Sequence, residues 1–452
     1  MSTSTSTATC VTADHLCVLV HGLWGNPEHL KYVSATLRDT FPQDKLHVLV
    51  AKRNAGSFTY DGIDTGGERV AEEVERKLEE LADTGHDIKK ISLVGYSLGG
   101  LIARYAIGLL FHRGTFENIQ PVNFTTFATP HLGVRTPLKG YHSHLWNVLG
   151  ARTLSMSGRQ LFGVDEFRDT GRPLLAVLAD PDSIFIRGLA QFRHRSLYAN
   201  VVNDRTVTFY TAGISQTDPF VDPDRVKINY IAGYENVIVD GEHPVSPKDP
   251  EELAAFTQRL TQGTRTILGR ASVLAVLTLF VPIGLSAFLI NSTIQSIRSH
   301  QRIRLHAEGR SGIDYGRYRI PLMINAARRE AEDMFENANN AQGQDYLSAG
   351  NEEVASPTQP TSPRWTRSSS SRSDVNFLQD QKEGMALEFP TLALTQDQFK
   401  MIEALDTVGF RKHPVYIHKH RHSHAAIVVR IDKSSFDEGR VVIKHWLERF
   451  LL

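Results

Sequence analysis

The amino-acid sequence predicts an α/β fold, a mostly parallel sheet with helices on both faces. Three observations carry this expectation. From Asp14 to about Gly233, short apolar runs alternate with segments of helical spacing. The runs "HLCVLV" and "KLHVLVA" have the length and composition of covered strands. In "KKISLVGYSLGGLIARYAIGLL" a buried strand passes straight into a helix.

The elements follow in order. Residues 1–13 are a polar tail, without the basic and apolar regions of a secretory signal. After "HLCVLV", the stretch "HGLWGNPEHLKYVSATLRDTF" has helical spacing. "GGERVAEEVERKLEELADTG" is an amphipathic helix with Val70, Val74, Leu78 and Leu81 on one face and Gly85 at its end. "VNFTTFATP" and "SLYANVV" are further strands. Residues 14–250 therefore form a core domain, and 251–336 a helical insertion. Residues 337–385, with "SPTQPTSPRWTRSSSSRS", have the composition of a disordered linker. Order returns over 386–452, with a helix at "LTQDQFKMIEAL", a strand at Pro414 to His418 and a terminal helix in "GRVVIKHWLERFLL".

Composition excludes several classes of function. Lys+Arg and Asp+Glu both number 50, so no net charge steers the chain toward nucleic acid. The two cysteines, Cys10 and Cys17, make neither a disulfide framework nor a CxxC metal site, and a reducing, cytosol-facing location is the default. No cofactor motif stands out.

The chemistry begins at "GYSLGG", Gly95 to Gly100. Gly-x-Ser-x-Gly alone is a weak pattern, and a Gly-rich turn with an idle serine is its bland reading. Between a buried strand and a helix it is a nucleophile elbow: a sharp turn that lifts Ser97 above the sheet at a helix N-terminus. The helix dipole and the Leu98 N–H then favour a developing oxyanion. "VLVHGLWGNPEHL" supplies the companion loop, in which Leu23 or Trp24 gives the second N–H, with Leu23 preferred. His21 reads as a ring that props this loop.

Together "VLVHGLWGNPEHL", "DGIDTGGERVAEEV", "GYSLGGLIARYAIG" and "FATPHLGV" resemble the fungal and plant putative serine esterases, which include the yeast lipid-droplet phospholipase and its close relatives. The resemblance covers about residues 14–220. It implies an α/β-hydrolase with a Ser-His-Asp triad and lipid ester substrates, phospholipids in particular; the residues alone give only an ester or amide hydrolase.

In this fold the acid and then the histidine follow the serine. Asp204, after "SLYANVV", is the expected acid, with Asp218 and Asp180 as alternatives. The base is sought in "HPVYIHKHRHSHAAIVVR", which holds His413, His418, His420, His422 and His424. His424 is preferred because small residues follow it, and the family's C-terminal "HSHAAI" type of sequence also matches. His422 and the upstream His243 are the alternatives. A metal site lacks a third ligand of fixed geometry, so no metal is expected. His413 and His420 suit a solvated tail.

Residues 271–297 carry no charge. As one helix they reach about 40 Å, enough to cross a ~30 Å hydrocarbon core, but a single crossing would part His424 from Ser97. Arg259, Arg265 and Arg270 before the run and Arg298, Arg302 and Arg304 after it favour both ends facing the cytosol. Pro282 and Gly284 allow a break. The expectation is a hairpin in a membrane or lipid-droplet monolayer, at the cytosol-facing surface of droplets or the endoplasmic reticulum. Buried core helices and a true span are the competing readings. Leu145, Trp146, Val148 and Leu149 are candidates for a lid. A soluble carboxylesterase or thioesterase, and a non-catalytic membrane scaffold, are the alternative functions.

Overall fold

The computed structural model describes residues 13–135, 155–223, 225–248, 290–308, 310 and 389–452. Its centre is a six-stranded parallel sheet in the order β2-β1-β3-β4-β5-β8. The strands are β1 His15–Val20, β2 Leu46–Val50, β3 Lys90–Tyr96, β4 Gln120–Phe127, β5 His194–Asn200 and β8 Arg411–Val415. The short antiparallel pair β6 Val226–Ile228 and β7 Val245–Pro247 stands apart.

Each strand feeds two cores because its side chains alternate between faces. On β1, Leu16, Val18 and Val20 join the cluster beneath α2 Ile63–Asp83 and α3 Leu98–His112. Cys17 and Leu19 join the opposite cluster, under α1 Lys31–Thr40 and the C-terminal helix Asp437–Leu447. In that helix Trp446 is buried and its indole N–H donates to Thr125 Oγ1 at 3.1 Å. The expected face of α2 is the inward one: Val70, Val74 and Leu81 are buried and Leu78 packs against them.

The strand order reverses direction between β1 and β3, which pair in register with Val20 beside Gly95. In such sheets ligands bind at the carboxyl ends beside this switch. There the loop after β1 meets the turn after β3. At the other edge β8 adds to β5, Asn200 opposite Val415, so the loops after these two strands are neighbours.

Some boundaries differ from expectation. The last strand is Arg411–Val415, earlier than Pro414 to His418. It is an edge strand, where charged residues such as Arg411 and Lys412 are tolerated and even protective, so its apolar content does not mark it. The terminal helix ends at Leu447 rather than running to the last residue. The helical insertion 251–336 apart from 290–308 and 310, the linker 337–385 and the lid candidates Leu145, Trp146, Val148 and Leu149 lie outside the described residues, and with them residues 271–289 of the uncharged run. Among the described residues no helix is long and apolar enough to cross a membrane. Residues 290–297, the end of the uncharged run, open a helix that continues to 307. Arg302 is no cytosolic flank: it is buried, paired with Asp61.

Candidate active site

Ser97 sits at the tip of the β3–α3 turn with φ 55° and ψ −131°, a left-handed conformation strained for a side chain bearing a Cβ. The turn closes this tightly only because its neighbours lack side chains. A Cβ on Gly95 would fall 2.3 Å from Gly100 Cα. Thr129 Oγ1 donates to the Ser97 carbonyl at 2.9 Å and braces the turn from the loop after β4. The first N–H of α3, that of Leu98, has no partner within the helix and points out with the positive end of the dipole.

The loop after β1 presses against this serine. A Cβ on Gly22 would lie 2.6 Å from Ser97 Cβ, so only glycine permits the approach. His21 is a prop: its Nδ1–H donates to the Gly22 carbonyl at 3.1 Å, and burial pushes its pKa down to about 4. Of the two candidate donors, the Trp24 N–H is engaged by Thr59 Oγ1 at 3.0 Å, and its indole N–H by Tyr60 Oη at 2.7 Å. That leaves the Leu23 N–H, which donates to no described group and follows Gly22, the residue packed against Ser97.

Asp204 and His424 come from the two edge loops. Ser423 Oγ donates to the Val202 carbonyl at 2.8 Å, and Asn203 Nδ2 donates to the Ile417 carbonyl at 3.1 Å, lacing the loops together. Glu438, buried at the start of the C-terminal helix, accepts the N–H groups of His418 and Lys419 at 3.0 Å each. His424 then stands in the short helix Ser423–Ala426 with Ala425 and Ala426 behind it.

The three side chains meet in line. Ser97 Oγ–H donates to His424 Nε2 at 3.0 Å, and His424 Nδ1–H donates to Asp204 Oδ2 at 2.9 Å. The Asp204 side chain is 2% exposed and that of His424 11%. Asp204 is held from four directions: Oδ1 accepts the N–H of Thr206 at 3.1 Å and of Val207 at 2.8 Å, and Oδ2 accepts Asn200 Nδ2 at 2.8 Å beside the imidazole. Such a carboxylate fixes ring orientation and tautomer. The arrangement can pass the serine proton to Nε2, and the Leu98 and Leu23 N–H groups are the candidate donors to an incipient oxyanion.

The alternatives lie elsewhere. Asp180 pairs with Arg172 at the surface, Asp218 caps the Phe220 N–H, and the His243 N–H bonds to Asp240 in an exposed loop. The other histidines of the run are dispersed. His418 stacks on Tyr416, and His420 packs against His422 and Phe436. His413 is not part of a solvated tail: it stacks on Tyr198 at 4.8 Å, and burial pushes its pKa down to about 4. Among the described residues no cluster of three metal-ligating side chains occurs. Sequence reasoning missed Tyr96, whose hydroxyl donates to the His424 carbonyl at 3.0 Å and whose ring lies 5.2 Å from the imidazole. Its place directly before Ser97 was the available signal.

Residues 11–217 match the family described as "Putative serine esterase (DUF676)". This span includes Leu23, Ser97, Leu98 and Asp204; His424 lies beyond it. The chain is similar to two proteins of Saccharomyces cerevisiae, putative lipase ROG1 and putative lipase YDL109C. They are 34% and 31% identical over 206 residues, which are 44% of this chain and 28% and 30% of theirs. Putative lipase C4A8.10 of Schizosaccharomyces pombe is 31% identical over 212 residues, 44% of this chain and 26% of that one. The match thus spans between a quarter and a third of each relative.

Proposed function

We propose, for a chain whose residues 11–217 belong to the putative serine esterase family, that it hydrolyses acyl esters of lipids through an acyl-enzyme on Ser97. The observation that carries this reading is the pair of hydrogen bonds joining Ser97 Oγ to His424 Nε2 and His424 Nδ1 to Asp204.

Each step follows from that geometry. His424 Nε2 takes the Ser97 proton as Oγ bonds to the ester carbonyl carbon. The carbonyl oxygen, now an oxyanion, receives the N–H groups of Leu98 and Leu23. Asp204 holds Nδ1–H and stabilises the imidazolium without itself taking the proton. The intermediate collapses: the ester C–O bond breaks, and the alcohol leaves with the proton from Nε2. Water then gives a proton to Nε2 and attacks the acyl carbonyl. The fatty acid departs and the proton returns to Ser97 Oγ.

Lipid esters are favoured over other esters by the relatives, which bear the name lipase, and by the helix at 290–307. That helix is inverted. Ser292, Gln295, Ser299 and Arg302 face the protein, whereas Ile290, Ile294 and Ile297 are 63%, 43% and 57% exposed. A soluble helix turns its apolar stripe inward. Outward isoleucines that continue an uncharged run, followed by exposed Arg298 and Arg304, suit contact with acyl chains below anionic headgroups. The reading therefore places the protein on the cytosol-facing surface of a lipid layer, a droplet or endoplasmic reticulum membrane, with 271–297 as its anchor.

A fluorophosphonate probe and turnover of emulsified long-chain phospholipid and acylglycerol test this. Wild type is expected to label and S97A not. Labelling of S97A equal to wild type removes Ser97 from the chemistry, and turnover of short soluble esters alone makes the protein a carboxylesterase.

A further inference from the structure

The polar face of helix 290–307 reaches further into the protein than attachment requires. Arg302 is 1% exposed and Asp61 is 0% exposed. Arg302 Nε donates to both Asp61 oxygens at 3.0 and 2.9 Å, and Nη2 to Oδ1 at 2.6 Å. Arg69 already pairs with the same carboxylate at 2.8 Å. One buried carboxylate thus holds two guanidinium groups, and both also lie over the Phe58 ring, at 5.1 and 5.0 Å from its centroid. Arg302 Nη1 is buried without an acceptor. Replacing buried ion pairs by apolar contacts is often neutral or stabilising, so a second cation here contributes geometry more than stability.

The geometry leads to the site. Arg302 Nη2 also donates to the Ser57 carbonyl at 2.9 Å, and Ser299 Oγ to that of Tyr60 at 3.3 Å. Both grip the 3-10 turn Gly56–Tyr60. That turn holds the loop after β1 by three bonds: Gly56 N–H to the Gly25 carbonyl at 2.8 Å, Trp24 N–H to Thr59 Oγ1, and the Trp24 indole to Tyr60 Oη. Trp24 itself has φ 53°, a conformation kept only under constraint. Its neighbour Leu23 follows Gly22, which packs against Ser97, and carries a backbone N–H that no described group engages.

We propose that Arg302 is a positioning residue for the oxyanion hole, acting through Asp61, the 56–60 turn and Trp24 on the Leu23 N–H. The helix that approaches the lipid layer and the loop that binds the oxyanion are then one mechanical unit. This rests on the reading of Ser97 as nucleophile. It leaves substrate binding alone, so its mark is on kcat.

The test uses the full chain and a short, soluble p-nitrophenyl ester, so that lipid binding plays no part. R302M is expected to lower kcat and the rate of fluorophosphonate labelling about tenfold or more, with KM within about twofold, since an oxyanion donor is worth about 10²–10³ in kcat. R302K should recover part of the loss. H306Q is the control: His306 joins the same helix to Glu68 of α2 at 2.8 Å, away from the loop, and kcat should stay within about twofold. Should R302M fail to fold, Y60F removes the hydroxyl that accepts the Trp24 indole N–H and is expected to lower kcat several-fold at unchanged KM. Wild-type kcat in soluble R302M, or in Y60F where R302M does not fold, overturns the proposal; so does an equal loss in H306Q. Wild type that does not label at all overturns the enzyme reading, whereas wild type that labels alongside an equally active R302M overturns only the positioning role.

Discussion

The ring of His424 and the carboxylate of Asp204, 220 residues apart in the chain, lie 2.9 Å apart across the mouth of the sheet. Two short edge loops make this meeting, laced by Ser423, Asn203 and Glu438.

H424A is expected to lower kcat by at least about 10³-fold, and D204N by a similar factor, because residues of such a unit fail together. H422A and H243A should stay within about twofold of wild type. Single-turnover acylation measures this directly. An H424A enzyme of full activity sinks the assignment, as does a large loss in H243A.

G22A places a methyl group against Ser97 Cβ. The expected result is a loss of about 1–3 kcal/mol of stability, the usual range for overpacking, with kcat down about tenfold or more. Denaturant titration beside kinetics reads both; unaltered kinetics would mean the two loops are not in such contact.

Stability should fall on acidification through the range in which ordinary histidines titrate. Burial lowers His15, His21 and His413 to about 4 and His445 to about 3, from 6.5. Between pH 6.5 and 4 the unfolded chain binds the extra protons. The contribution is therefore complete above 6.5 and drains away below it, by ~1.4 kcal/mol per pH unit for each histidine. In H413F, which preserves the stack on Tyr198, the slope of unfolding free energy against pH should flatten by one proton. An unchanged slope would show that His413 does not titrate abnormally.

Replacing Ile290, Ile294 and Ile297 together by serine should weaken flotation with phosphatidylcholine–phosphatidylserine vesicles at least about tenfold, since each buried isoleucine contributes about 1.5–3 kcal/mol. Turnover of a soluble ester should hold within about twofold. Undiminished flotation would move the lipid contact elsewhere.

The sequence made the β3–Ser97–α3 turn legible because the chemistry and the sterics demand the same residues: an apolar run, glycines on both flanks and a serine between. Asp204 was legible through its position after a strand, and His424 through the small residues behind it. Helix 290–307 was not legible, since periodicity assigns apolar residues to the core, and here Arg302 and Ser299 occupy the inner face while isoleucines face out. Arg302 accordingly resembled a charge at a membrane boundary. The edge strand β8 was misplaced for a related reason: pairing with β5, rather than apolar content, defines it.

The distance along the chain between Ser97 and His424 has a consequence in time. During translation the serine is made 327 residues before its base, an interval of about 16–65 s at 5–20 residues per second. The five strands β1 to β5 can assemble in that interval, with Ser97 already raised on its turn. Yet a nascent chain that has not reached β8 has no imidazole to take the proton, so on the proposed mechanism Ser97 stays inert until His424 has been made and β8 has paired with β5. A chain interrupted between β5 and β8 would carry Ser97 with no imidazole to receive its proton.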